Sequence, residues 1–560
     1  MLCRRDSVAR LRLSLVFLLL SHLVILASLL FAAAAHAGSK SKLPAVEWIK
    51  MQNGALIYGA DQYGNRIPDF STAGYSEGDV SIPDVPTRAS LDPLPEGDDT
   101  PRIQAALDAL TKQPLDASGF RGALVLHKGT YRIAGTILLN ASGIVLRGEE
   151  NADHDTAHHD TADQPMLLAR GSPHTLIRVG GSGEWQHAGP EVAIIDDYVP
   201  VGADTITVED AHDFHPSDHI IVEWRMSAPW IHAVGMDRIP PRKDGRAITQ
   251  WQPGMALRFD RRILAVSGKR LTLDAPLTNA MARSDGAMVW RYVFPGRIEH
   301  SGIENLYSDG LAFEKSAGFA NPDYLTEGDR PTFVGGGYFD SVFVAFDSVE
   351  NAWMRNVSVT HYTGIAHVEQ FARAITIDGI SGDHVQTDFT HAPPAAFAID
   401  GQQTLVEHCQ ITGAFNHVWM TQARVAGPNV FRSCTAKGDR IDAGTHQRWA
   451  TGTLFENLKI QGPLEIGNRS NLGTGHGWAG ANSVVWNCET DGYRIESPPV
   501  AYNWAIGNKG TVMPPGDGDA AGQIVSPGKP VEPESLYEEQ LRERHAKVSI
   551  PKPIVNPLQK

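Results

Sequence analysis

Two loop segments concentrate residue types able to move protons and to grip an anion. Thr445-His-Gln-Arg-Trp-Ala-Thr-Gly452 carries His446, Arg448 and Trp449. Asn468-Arg-Ser-Asn-Leu-Gly-Thr-Gly-His-Gly-Trp-Ala-Gly-Ala-Asn482 carries Arg469, His476 and Trp478 among glycines that permit tight backbone paths. Asp439, Arg440 and Asp442 lie just upstream. Histidine titrates near neutral pH, so His446 or His476 could take or deliver a proton. The guanidinium groups of Arg440, Arg448 and Arg469 could hold a carboxylate in two-pronged fashion and acidify the neighbouring C–H. Trp419, Trp449 and Trp478 could stack on sugar rings. A base, a neutralised carboxylate and a proton donor are the parts of a β-elimination, so the expected catalytic set is His446, Arg448 and His476. The expected substrate-binding set is Trp449, Trp478, Arg440, Arg469, Trp419, Asp439 and Asp442. Hydrolysis would instead need paired carboxylates, for which Asp378, Asp383, Asp388, Asp439 and Asp442 on nearby turns are candidates.

Other histidines read more plainly. His361, His367, His384 and His391, with Tyr362 as an alternative base, fit hydrogen-bonded positions in turns better than catalysis. The cluster His154, His158 and His159 with Asp153, Asp155 and Asp160 has metal-like composition but polar, irregular flanks, and a solvated loop is the expectation. No metal site is expected and no cofactor is evident; calcium is left open without a supporting motif. Trp224, Trp230 and Trp251 fit either a core or a sugar platform.

These loops need a scaffold that places them side by side, and a repeat supplies it. One local pattern of a polar residue, an apolar or Cys residue and then alternation recurs at Leu306, Val357, Ile380, Cys409, Cys434, Leu458 and Cys488, with successive gaps of 51, 23, 29, 25, 24 and 30 residues. A period in the twenties marks a solenoid whose stacked turns bury one continuous apolar column; the gap of 51 is expected to hold two turns. Cys409, Cys434 and Cys488 are then inward-facing small hydrophobes, not a disulfide or metal set. Asn305, Asn356, Asn457 and Asn487 sit one position earlier and are expected to stack as a ladder in the turns. The fold expected is all-β, a right-handed parallel β-helix with an N-terminal capping helix, a β-rich insertion and a C-terminal tail.

Its parts are expected at 1–37 (signal peptide), 38–97 (extended leader), 98–192 (cap and first coils), 193–295 (insertion), 296–510 (main coils) and 511–560 (Pro- and Glu-rich tail with a short helix that could cover the open end). The signal is read from Arg4, Arg5, Arg10 and Arg12, the apolar run Leu13 to Ala35 and the small-x-small site Ala35-His36-Ala37. Cleavage after Ala37 would give a secreted or periplasmic protein with no stable membrane span; the rival is an uncleaved N-terminal anchor. Cleavage takes the net charge from −15 to −18 by removing four Arg and one Asp. So acidic a surface argues against nucleic acid as a partner. It also requires that any cations gripping a polyanionic sugar be gathered locally.

Asp98-Asp-Thr-Pro-Arg-Ile-Gln-Ala-Ala-Leu107, followed by Gly122-Ala-Leu-Val-Leu-His-Lys-Gly-Thr-Tyr-Arg-Ile133, resembles the N-terminal cap and first coils of the pectate-lyase-like superfamily, which includes rhamnogalacturonase and epimerase-like β-helix proteins. The repeats extend the resemblance to about residue 510. It implies an extracellular protein acting on a polysaccharide. Neither the calcium-binding Asp set of pectate lyases nor the Asp constellation of the hydrolases is matched, so no family residue is carried over. The expected function is an exported polysaccharide lyase acting on a uronic-acid-containing glycan. The alternatives are a glycoside hydrolase on the same scaffold, a non-catalytic glycan-binding solenoid and a C5 epimerase. Oligomeric state is not readable from the sequence.

Overall fold

The computed structural model describes residues 47–149, 165–310, 341–383, 395–413, 415, 417–438 and 441–549. Within the body that begins at Trp48, short strands stack coil upon coil in parallel register to form a right-handed parallel β-helix. Three strand columns run its length. The one bearing the two candidate loops contains Ile137–Leu139, Thr175–Val179, Val342–Phe346, Gly364–Val368, Ala395–Ile399, His417–Thr421 and Ala443–Thr445, each paired in parallel with the next. Stacking satisfies each strand's backbone groups from the coils on either side.

The repeat positions form the inner column: Leu306, Val357, Ile380, Cys409, Cys434, Leu458 and Cys488 are all buried within one apolar core. The residue before each turns the chain in the left-handed region, with φ of 55° at Asn305, 53° at Asn356, 66° at Gly379, 53° at His408 and 51° at Ser433, Asn457 and Asn487. Asn and Gly tolerate that conformation best, which explains the Asn run; Asn356 Nδ2 donates to Asn305 Oδ1 at 3.3 Å, the ladder contact. The three cysteines are free and buried, and burial pushes the Cys488 thiol up to about 12. A thiol reagent is therefore expected to leave all three unmodified in the native protein and to label them on unfolding. Rapid labelling of native protein would contradict the packing.

The structure revises the expected layout in four places. The gap of 51 residues is one coil, because Tyr307 pairs directly with Ser358. Thr87–Leu91, in the expected leader, pairs in parallel with Gly122–Leu126 and so opens the solenoid. The antiparallel insertion begins before residue 193, since Gln186–His187 pairs with Met288–Val293. The tail helix Leu536–Ser549 does not cover the solenoid's end. Ser535 Oγ accepts from Glu538 N at 3.1 Å as a cap, and the helix lies along the side, where Tyr537 donates to Ala73 O at 2.8 Å and Arg432 pairs with Glu538. At the other end, helix Thr100–Thr111 buries Ile103, Leu107 and Leu110 over the first coils. Among the described residues no helix is long and apolar enough to cross a membrane; residues 1–37 lie outside them, as do the clusters at 153–160 and at His384, Asp388 and His391.

Insertion and solenoid share a buried ionic knot. Arg373, fully buried on the solenoid, reaches Glu77 at 3.2 Å, Asp260 at 3.2 Å and Asp274 at 2.9 Å. Asp260 also accepts from Arg297 at 2.9 Å and from Tyr292 at 2.6 Å. Despite burial, these cations hold the Asp260 carboxyl well below its ordinary range.

Candidate active-site cleft

The position just past the end of each strand in the candidate column carries Asp347, Glu369, Asp400, Gln422 and His446 on successive coils. Their backbone N–H groups donate in turn to the carbonyls of Val179, Phe346, Val368, Ile399 and Thr421 at 2.7–3.1 Å. Coil spacing in a parallel sheet is about 4.8 Å, so this file of polar side chains runs lengthwise along the solenoid, a geometry suited to a polymer.

At the His446 end a cleft of about 440 Å³, open mouth included, is lined by His417, Asp442, Gly444, His446, Glu465, Gly467, Arg469, Arg494 and Glu496, among others. Two of its glycines let the next coil approach closely. A Cβ on Gly444 would lie 1.9 Å from the Glu465 carbonyl oxygen, and one on Gly467 would lie 2.2 Å from Glu496 Oε2. His417, His446 and His476 follow one another across the coils as tilted rings, with centroids 4.9 and 4.7 Å apart. His417 Nδ1 is hydrogen-bonded to Asp442. His446 Nδ1 is hydrogen-bonded to Gln422 Oε1 at 3.0 Å, and Arg469 donates to the His446 carbonyl at 3.1 Å. Burial, together with His417, Arg469, His476 and Arg448, holds the His446 ring well below its ordinary value. His476, buried and facing the same guanidinium groups, is lowered to about 2. Both rings are therefore neutral at pH 7.

The sequence-derived set divides by depth. His446, Asp442 and Arg469 line the cleft. Arg448 and His476 sit behind it, each less than a tenth exposed; Arg448 donates to Thr474 Oγ1 at 2.8 Å. The tryptophans do not offer sugar platforms. Trp419 points into the solenoid core. Trp449 and Trp478 are buried in the insertion's core with Trp224 and Trp251, Trp230 packing against it, where they donate to Asn279 Oδ1 at 2.9 Å and to Val234 O at 3.1 Å. Their large apolar surface anchors the two loops beneath the insertion, and Arg242 adds bonds to the carbonyls of Asn471 and Gly473. Asp439 and Arg440 lie outside the described residues. Asp378 and Asp383 are engaged elsewhere, with His408 at 2.8 Å and with Thr412. Tyr362 is a core residue bonded to Ser308 at 2.8 Å. His367 is buried, which lowers it to about 3.

Sequence reasoning missed Glu369 and Asp400. Each follows the last apolar residue of a short strand, a signal visible only once the coils are in register. Burial, and then repulsion from Asp347, raises Glu369 to about 7. Burial and Glu369 raise Asp400 well above the carboxylate range. Asp400 lines a neighbouring groove with Trp185, Arg258 and Arg424. The folded state binds the Glu369 proton more tightly than the unfolded chain does, so stability is lost as pH rises from 4.5 through about 7. Glu369→Gln is expected to leave stability unchanged below that window and to raise it above by on the order of 1–2 kcal/mol, read as urea midpoints on either side. Equal midpoints at high pH would refute the raised value.

Among the described residues, one group could gather round a metal ion: Asp378, Glu407 and His408. It lies on another face and already pairs internally and with Arg432.

No family model and no curated sequence matches the chain. Solved structures similar to it include phage tailspikes. The tailspike gp49 of Pseudomonas phage LKA1 aligns with a TM-score of 0.40 at 13% identity, over 73% of this chain and 55% of that one. The tailspike of E. coli bacteriophage HK620, in complex with a pentasaccharide, aligns at 0.38 and 10%, over 75% and 54%. Gp54 tailspike of Acinetobacter baumannii bacteriophage AP22, in complex with a capsular saccharide, aligns at 0.26 and 8%, over 75% and 71%. The chain thus spans about half the length of the first two. The strand pairing defines the fold, and the likenesses say nothing about the reaction.

Proposed function

We propose that the protein cleaves a uronate-containing polysaccharide by β-elimination in the cleft at His446. The observation that carries this is the His446 imidazole, hydrogen-bonded through Nδ1 to Gln422 and lining a cleft with Arg469 and Arg494. Arg469 would hold the substrate carboxylate and stabilise the charge that develops when the adjacent C–H is broken, with Arg494, paired with Glu465 at 2.8 Å, beside it. His446 Nε2 takes that proton. The C–H electron pair forms the new C=C bond, the bond to the leaving oxygen breaks, and that oxygen takes a proton for which the His417–Asp442 pair one coil away is placed. An anionic substrate would also offset the cationic surroundings that depress His446, making it a stronger base when loaded. A matched pair of polymers tests the requirement: a polyuronate and the same chain with its carboxyls reduced to alcohols. Cleavage of the acidic chain alone is expected; equal cleavage of both would overturn the reading.

A second reading rests on the acidic end of the same file. Glu369 or Asp400, kept protonated, could serve as general acid, with Asp347, paired with Arg178 at 3.1 Å, as the second carboxylate in glycoside hydrolysis. It requires Glu369→Gln or Asp400→Asn to abolish cleavage, with saturated product ends.

A further inference from the structure

Two buried amides stand between the histidines and the guanidinium behind them. Arg448 Nη1 donates to Gln447 Oε1 at 2.7 Å. A guanidinium has only donors, so the atom it meets is the amide oxygen and the orientation of Gln447 is fixed. The Gln447 Nε2 group then donates to Gln422 Oε1 at 3.3 Å, which fixes Gln422 in turn. Each amide oxygen meets an imidazole Nδ1: Gln422 that of His446 at 3.0 Å, and Gln447 that of His476 at 3.0 Å. A carbonyl oxygen only accepts, so both Nδ1 atoms carry hydrogen. In a neutral ring the lone pair is then on Nε2.

We propose that Arg448, acting through Gln447 and Gln422, locks His446 and His476 as the Nδ1–H tautomer and so presents the lone pair of His446 at Nε2. Arg448, Gln447 and Gln422 are positioning residues, not groups that touch substrate. The assignment of their role in turnover rests on the β-elimination reading; the tautomer itself does not. The arrangement is physically economical: one fixed cation orders two amides and two rings, all buried, leaving no ambiguous donor–acceptor contact in a region of low dielectric. Removing the third group that orients a catalytic imidazole is costly because the ring can then present the wrong nitrogen.

The test uses the full chain labelled with ¹⁵N-histidine. Long-range ¹H–¹⁵N spectra distinguish protonated from unprotonated ring nitrogens, and loss of a ring's signals in His446→Gln assigns that ring. Wild type is expected to show protonated Nδ1 and bare Nε2 at His446. Gln422→Glu keeps the acceptor and should keep the tautomer. Gln422→Met removes it and should give a mixture, with kcat down at least about tenfold, KM unchanged and partial recovery in Gln422→Glu. A wild-type ring protonated at Nε2, or a Gln422→Met ring unchanged in tautomer, would overturn the proposal even if activity requires His446. The expected tautomers, together with full activity in the His446 variant, would sustain the relay and sink the β-elimination reading.

Discussion

Replacing His446 with alanine is expected to lower kcat for polyuronate cleavage by about 10²- to 10⁴-fold, the usual contribution of a positioned general base. Polymer binding should survive, because the cations lining the cleft, Arg469 and Arg494, are untouched. The ring is nearly fully buried yet borders the cleft, so the substitution removes the base and leaves a small cavity. Its Nδ1 partner Gln422 would lose one donor, a modest cost on the order of 1 kcal/mol. The acid limb of the rate profile carries a second signature. Because its surroundings hold the free-enzyme ring well below its ordinary value of 6.5, kcat/KM should not fall as pH drops through 6.5, where a solvent-exposed histidine would protonate. Comparison of kcat, KM and binding at equilibrium for wild type and His446→Ala checks the first point. A variant that retains wild-type kcat would remove His446 from the chemistry.

The largest effect on stability is expected at Arg373. Arg373→Met keeps much of the apolar stem but removes the one cation that Glu77 from the N-terminal segment and Asp260 and Asp274 from the insertion share. Arg262 still reaches Glu77 and Arg297 still reaches Asp260, so the exposed deficit centres on Asp274, which is buried. Breaking a buried pair by removing one partner typically costs about 3–5 kcal/mol, because a buried charge loses its compensation. The urea midpoint should fall accordingly at pH 7. Adding Asp274→Asn should recover part of the loss, since it removes the uncompensated charge. A midpoint within error of wild type for Arg373→Met would show that the knot does not hold the insertion to the solenoid.

The inner column was legible in the sequence because the repeat is periodic in the residue that faces inward, and Leu306, Val357 and the cysteines fall where the period puts them. Masked by the same signal was coil length: the run between Leu306 and Val357 could hold another turn by length alone, and only the pairing of Tyr307 with Ser358 shows that it does not. His446, Asp442 and Arg469, which line the cleft, stand out in the sequence because reactive types crowd two loops and the residues just before them. The tryptophans of the same loops were misread for a physical reason: an indole near a polar loop fits a sugar platform or a buried anchor equally well, and here the insertion folds over it. Glu369 and Asp400 were missed because isolated carboxylates at strand ends gain meaning only from their neighbours one coil away.

Elimination of a polyuronate in this cleft leaves two signals that can be followed together. Purified protein is incubated with a panel of uronate-containing polysaccharides while the ultraviolet absorbance of an unsaturated uronate and the number of new reducing ends are recorded. Both are expected to rise in equal molar amounts on at least one polymer, and both to vanish in His446→Ala. Reducing ends appearing without the absorbance would contradict elimination and move the chemistry to the carboxylates at Glu369 and Asp400.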